Sequence, residues 1–497
     1  MAAERNYSYG HVLKYTGIFG GVQGMSIAIS LLRNKLVAML LGPAGMGMAS
    51  LLNTTVSFIS QATNFGISFS AIKHISEIFD SGDEERIRHF VKVVRSWSLL
   101  TALLGMLVCA AAGPDLRRFV FSGLSELNLL LLSPAVGLAA ITGGETAILK
   151  GARRLKSLAM TQIISMVSAL IISIPIYYFF GLAGIVPAIV LMAVASMLIT
   201  VWYSYRLYPL RLSCNRSMLF EGFPMVRLGI GFLVAGVMGS GAELLIRFYL
   251  SMTGGNAAVG LYNAGFMLTM TYGGMVFSAM ETDYFPRLSA VNRDTQLCNQ
   301  TVNRQIEVSL LIISPMLVAF IFAAQEIVPL LFTEEFNPVV PMLRVTVLAL
   351  YLRALKLPVA YLTLAKGDSM SYMILEAIYD VVMVLLVIVG YNWLGLVGTG
   401  VALLAVALFD FVMVNGYTRL RYKFRLSGSI ARYALPHIAL GLVAFASAWL
   451  LHGIYYWLTA IVLSAASLAF SVAILHRKTS LWNSLKDKLY KKIHPDA

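Results

Sequence analysis

The sequence predicts an all-α protein that crosses a membrane about fourteen times, and three observations carry that expectation. Hydrophobic residues fill 58% of the 497 positions and charged residues only 12%, with a mean hydropathy of +0.77. Soluble domains carry about 25% charged residues, so a soluble enzyme of two or three domains is excluded. Apolar runs near the ~20 residues that a helix needs to cross a bilayer recur along the whole chain. Finally, 38 Lys and Arg stand against 24 Asp and Glu, a formal charge of +14. In a membrane protein that excess marks topology, because Lys and Arg collect in cytoplasmic loops. Nucleic acid is not an expected partner.

Polar breaks separate the spans in order. Residues 1–14 are polar, and the apolar run that follows is too long for the core of a cleavable signal peptide. Spans one and two, 15–41 and 44–72, are joined by Leu41-Gly42-Pro43, a connection so short that the helices must be antiparallel. Spans three to six lie at 93–113, 127–149, 157–180 and 182–205, the last two joined at Phe180-Gly181-Leu182. Spans seven to twelve follow at 228–252, 257–285, 305–325, 341–364, 371–391 and 395–418, and two more lie at 433–452 and 455–476. The chain therefore reads as a six-helix bundle (1–205), a cytoplasmic linker (206–227), a second six-helix bundle (228–418), two additional helices (419–476) and a basic tail (477–497). In that tail Leu481, Trp482, Leu485, Leu489 and Ile493 recur at helical spacing between lysines, the pattern of an interfacial helix.

Charge orients the bundle. Thirty of the 38 basic residues fall on one side, in clusters such as Lys150, Arg153, Arg154 and Lys156 or Arg419, Arg421, Lys423 and Arg425. Only Arg117 and Arg118 fall on the other, and six lie inside apolar runs. Both termini are thus expected in the cytoplasm. An internal repeat is visible: the interval from Arg33 to Arg247 equals that from Lys73 to Arg287. The glycine-bearing turns Leu41-Gly42-Pro43-Ala44-Gly45-Met46-Gly47 and Thr253-Gly254-Gly255-Asn256-Ala257-Ala258-Val259-Gly260 fall between them. Six spans per repeat, an even number, give two halves of the same orientation.

Ionisable groups inside spans cost about 2.5–3.5 kcal/mol each on insertion scales, so each invites an explanation. Span ten carries Arg344, Arg353 and Lys356, the last two on one helical face. Span eleven carries Glu376 and Asp380. With a hairpin turning near Asp368, Lys356 and Asp380 come to similar depth, which makes a structural ion pair one reading. The other is a cationic patch for an anionic ligand, with the carboxylates tuning it or binding a coupling ion. In span one Arg33 and Lys35 differ by about 200° around the helix, so only one faces a cavity. Arg33, matched in the repeat, is expected inward and Lys35 at the headgroups. Arg247 has Glu243 four residues before it and is expected to pair with it. Glu145 and Asp410 complete the candidates.

Catalytic chemistry has no support in the sequence. No GxxxxGK[ST] phosphate loop is present, the histidines are scattered, and three cysteines form neither a CxxC pair nor a Cys/His cluster. No cofactor and no metal are expected.

The segment Leu41 to Gly47, followed by Asn64-Phe65-Gly66-Ile67 and Ala71-Ile72-Lys73, resembles the opening of the Wzx-type polysaccharide flippases. Further matching segments are Leu149-Lys150-Gly151-Ala152-Arg153, Tyr284-Phe285-Pro286-Arg287-Leu288-Ser289 and Leu355-Lys356-Leu357-Pro358-Val359-Ala360-Tyr361. The similarity covers spans one to twelve in order. It implies membership of the multidrug, oligosaccharidyl-lipid and polysaccharide exporter superfamily: two six-helix bundles in a MATE-like V around a central cavity, working by alternating access. The expected substrate is an undecaprenyl-pyrophosphate-linked oligosaccharide, such as an O-antigen unit, moved to the outer leaflet of a bacterial plasma membrane. Membrane lipids and polysaccharide polymerase or assembly proteins are the expected partners. Arg33, Arg247, Arg353 and Lys356 are the expected pyrophosphate ligands; Glu376, Asp380, Asp410 and Glu145 are expected in ion coupling or ion pairing. The rival readings are a cation-coupled multidrug exporter and a lipid II flippase of the same superfamily.

Overall fold

A computed structural model describes residues 2–81, 83–119, 126–210 and 216–478, so the expected interfacial helix after Ser480 lies outside the described residues. The chain folds as α1 (Ala2–Thr63), α2 (Ile67–Ser81), α3 (Glu84–Phe119), α4 (Glu126–Gly151), α5 (Leu155–Phe180), α6 (Ile185–Leu207) and α7 (Arg216–Phe266). A π-helical turn at Met267–Thr271 leads into α8 (Tyr272–Ala290), α9 (Thr295–Leu331), α10 (Val340–Ala365), α11 (Ser369–Tyr422), α12 (Gly428–Leu450) and α13 (Gly453–Lys478). Among the described residues there is no strand.

Nine helical stretches among the described residues are long and apolar enough to cross a membrane. Three of them, 24–63, 156–207 and 369–422, contain 40, 52 and 54 residues. At 1.5 Å per residue each far exceeds a hydrocarbon core of about 30 Å, so each must turn back. The turns fall at Gly42 (φ 61°), Gly181 (φ 53°) and Gly395 (φ 57°), and α7 breaks in the same way at Gly255 (φ 71°). Glycine alone adopts these left-handed angles without strain. Span two is shorter than expected: α1 stops at Thr63, and Phe65 (φ 50°) and Gly66 (φ 68°) turn the chain into the amphipathic α2.

The backbone makes the repeat explicit. The interval that relates Arg33 to Arg247 also relates Arg153 (φ 53°) to Gly367 (φ 78°) and Gly181 to Gly395, while the step from Gly42 to Gly255 is shorter by a single position. The second half therefore gains one residue between Gly255 and Gly367. The π-helical turn at Met267–Thr271 lies in that interval, and a π-turn is how a helix absorbs a single inserted residue.

Two compact units emerge from the contacts: 1–263 with 330–336, and 264–329 with 337–497. Their boundary follows Asn263, later than the 206–227 linker read from the sequence. The seventh span packs with the first unit because small residues let backbones meet. A Cβ on Gly66 would lie 2.0 Å from the Gly229 carbonyl oxygen. One on Gly47 would lie 1.8 Å from that of Asn256, and one on Gly260 1.9 Å from that of Pro43. These last contacts mirror each other, because Pro43 corresponds to Asn256 and Gly47 to Gly260 when Gly42 is aligned with Gly255.

The core of the first unit gathers Ile67, Ile75, Ile87, Val91, Val94 and Ile148. That of the second is built around Tyr284, Leu310, Phe322 and Tyr351. The two additional C-terminal helices belong to the second unit, where Arg344 donates to the Ala448 carbonyl (2.9 Å) and to the Tyr456 hydroxyl (3.1 Å).

Candidate functional site

The first unit holds a polar cavity of about 490 Å³ walled by α1, α5 and α7, with Arg33 and Arg247 both in its lining. Asn34, Asn53, Gln61 and Tyr177 are further polar walls, and Glu243 is its carboxylate. Arg33 is held by neutral groups: Nε donates to Ser173 Oγ (3.4 Å) and Nη2 to Met192 Sδ (3.2 Å). Arg247 is buried, and four of its five N–H groups are bonded within the protein. Its Nη1 bonds Glu243 Oε2 (3.0 Å) and the Glu243 carbonyl (3.1 Å), Nε bonds Ser50 Oγ (3.1 Å), and Nη2 bonds Asn263 Oδ1 (3.2 Å). The Arg247–Glu243 pair forms as the spacing suggested. Lys35 turns away from this cavity and donates to the Phe332 carbonyl, an anchor within the protein.

In the second unit Lys356 joins three helical segments. Its ammonium contacts Asp410 Oδ2 at 2.8 Å and Glu376 Oε1 at 3.3 Å and lies 5.7 Å from the Tyr379 ring centre. Lys356 and Asp410 are both buried. The hairpin arithmetic named Asp380 for this lysine; the structure brings Asp410 from the far half of α11, a third segment invisible to a two-helix argument. Asp380 stays on α11, one turn beyond Glu376. Arg353 donates to the Met270 carbonyl (3.2 Å), inside the π-turn, and its guanidinium lies 5.7 Å from the Phe277 ring centre. Gly274 leaves room for it, since a Cβ there would meet Arg353 Nη2 at 3.3 Å.

Glu145 is buried in a third cluster. Arg95 binds it in a fork, Nε to Oε1 at 2.8 Å and Nη2 to Oε2 at 3.2 Å, while Ser204 donates to Oε2. Arg95 also reaches the Pro209 carbonyl (3.1 Å) and stacks 4.3 Å from the Tyr205 ring centre. Counting Arg95 with the cytoplasmic charges overlooked that it opens the third apolar run, where a buried carboxylate awaits it. The neutral lining of the Arg33 cavity was also missed, because single Asn, Gln and Tyr residues in apolar runs carry no spacing signal.

Outside the spans, Asp368 caps α11. It accepts from the Ser371 amide (3.2 Å) and from the hydroxyls of Tyr422 (2.7 Å) and Tyr417 (3.4 Å). These bonds, that from Tyr422 first, hold its carboxyl below the usual carboxylate range.

Helices of spanning length, hairpins at matched glycines and charged groups lodged in apolar helices define a multi-pass membrane protein. Residues 36–341, more than half of the chain, match the family described as "Polysaccharide biosynthesis protein"; the chain belongs to that family. No curated protein matches it in sequence. Among solved structures it is similar to the lipid II flippase MurJ in an inward closed conformation. That likeness has a TM-score of 0.74 at 15% identity, over 93% of this chain and 99% of that one. It is also similar to an inward-facing multidrug resistance MATE family transporter of the MOP superfamily, with TM-score 0.67 at 16% identity over 80% and 94%. A MOP superfamily transporter from Pyrococcus furiosus gives TM-score 0.58 at 16% identity over 82% and 96%. At such identities the likeness establishes the MOP-type transporter fold.

Proposed function

We propose that this protein is a flippase for an undecaprenyl-pyrophosphate-linked oligosaccharide, moving a surface-polysaccharide unit from the cytoplasmic to the periplasmic leaflet of a bacterial inner membrane by alternating access. The carrying observation is the cavity in which Arg33 and Arg247 stand among amides and hydroxyls. Guanidinium groups bind phosphate oxygens in bidentate fashion, and the neutral polar wall suits sugar hydroxyls. Arg33, whose described partners are neutral, is the principal anion ligand; Arg247, answered by Glu243, is a fixed secondary one. The polyprenyl tail remains in lipid. With both termini cytoplasmic, an inside-negative potential favours outward movement of an anion by about 2.3 kcal/mol per charge per 100 mV, so the potential by itself can drive export.

The test is flipping of a fluorescent undecaprenyl-pyrophosphate oligosaccharide in proteoliposomes. Losing charge-assisted bonds worth about 1.5–3 kcal/mol predicts a flipping rate roughly 10- to 100-fold lower in folded Arg33→Ala. Parental rates in that variant would remove the anion-binding role. A parent that moves a cationic dye and leaves the lipid-linked sugar in place would establish the multidrug-exporter reading instead.

A further inference from the structure

The Arg33 cavity has two neighbours. A second cavity of about 400 Å³ shares Arg33 and Asn53 with it, and a third of about 440 Å³ shares Ala139, Ala193 and Ser196 with the second. All three lie in the first unit and adjoin in series. The third is lined by one face of α4, where Ala139, Thr142, Thr146 and Lys150 recur every three or four residues. That face presents small or hydroxyl side chains and closes with a lysine in the last turn of the helix. Lys150 is exposed and opens the cluster of basic residues at 150–156 that the charge distribution assigns to the cytoplasm. Eleven residues separate Ala139 from Lys150, about 16 Å along a helix. A pyrophosphate therefore cannot touch Lys150 and the far end of this path together.

The repeat supplies a second, independent observation. At the interval that relates Arg33 to Arg247, the counterparts of Ala139, Thr142 and Ser196 are Arg353, Lys356 and Asp410. Where the second unit carries Arg353 on the Met270 carbonyl and a Lys356–Asp410 ion pair, the first carries small neutral groups beside a cavity. At these three positions the two units therefore differ in charge.

We propose that Lys150, with Thr142 and Thr146 beside it on α4, is a loading station for the phosphate group of a lipid-linked substrate, which then passes Ala139 and Ser196 to reach Arg33 and Arg247. This rests on the reading of an anionic lipid-linked substrate above. Lysine suits a loading role because its ammonium is a hydrated point charge on a flexible stem, without the bidentate grip of arginine. The hydroxyls between the stations carry no charge to trap the anion.

Initial flipping rates against substrate concentration in proteoliposomes test this, with the parent, Lys150→Ala, Lys150→Glu, Lys150→Arg and Lys156→Glu compared. One contact to an exposed, solvent-screened lysine predicts a half-saturating concentration about two- to fivefold higher in Lys150→Ala, more in Lys150→Glu, and near parental in Lys150→Arg, with the saturated rate kept. Parental half-saturation in Lys150→Glu overturns the station while leaving the flippase reading intact. An equal loss in Lys156→Glu, which lies outside the cavity lining, overturns it as a general surface-charge effect. Inorganic pyrophosphate that competes as strongly as the lipid-linked substrate assigns the station to a free anion and overturns it too. A parent that flips no lipid-linked sugar breaks the flippase reading itself.

Discussion

Four positions of the first unit and their repeat counterparts in the second differ in charge. Ala139, Thr142, Gln162 and Ser196 are neutral; Arg353, Lys356, Glu376 and Asp410 form a balanced set of two cations and two anions. In the first unit Thr142 and Ser196 line a cavity, and Gln162 reaches the Ser26 hydroxyl at 3.5 Å. In the second, Lys356 binds both carboxylates and Arg353 is spent on a backbone carbonyl. One helical framework thus serves two ends. An ion cluster that satisfies itself ties helices together, whereas neutral Ala139, Thr142 and Ser196 border cavities. Charge inside a membrane protein is therefore no guide to its binding site until its partners are known.

The largest effect expected from breaking this contrast is in the second unit. Lys356→Ala leaves Asp410 and Glu376 without their cation, and stranding buried charge in this way costs about 3–5 kcal/mol. Thermal unfolding in detergent should show a clear loss, and the double variant Lys356→Met with Asp410→Leu should recover much of it. A single variant as stable as the parent would mean that Lys356 is not structural, which would return the cluster to substrate or ion binding.

The reciprocal experiment installs the cluster in the first unit. Thr142→Lys with Ser196→Asp should place an ion pair across the path and lower flipping at least about tenfold while the protein stays folded, as an added ionic contact of ~1.4 kcal/mol or more would require. Unchanged flipping would show that substrate does not pass these positions.

The smallest effect lies outside both clusters, at Asp368. Its carboxyl is held low by hydrogen bonds in the folded state. Its stabilising contribution is therefore present above the ordinary carboxylate range and is lost as pH falls through the lowered value. Asp368→Asn should flatten the acid limb of the stability profile slightly, by well under the effect at Lys356 because the site is close to solvent. An unchanged acid limb would remove the cap from the account.

Much of this architecture follows from local rules that a sequence exposes. Apolar runs of spanning length, glycine-marked hairpins at Gly42 and Gly181 and the equal spacing of Arg33 with Arg247 and of Lys73 with Arg287 are all visible in one dimension. The runs and hairpins derive from backbone hydrogen bonding in lipid and the steric freedom of glycine. The Arg247–Glu243 pair was equally legible, because four residues along a helix bring side chains together. Partners on separate helices were not. That Lys356 meets Asp410, that Arg95 meets Glu145, and that Lys35 turns to Phe332 depend on how three or more helices pack. No periodicity within one helix encodes those distances. The division of labour between the repeats has the same origin: Thr142 and Lys356 differ by a glance at the sequence, but only packing decides that one borders a cavity and the other closes an ion cluster, because a buried charge is governed by the groups that surround it.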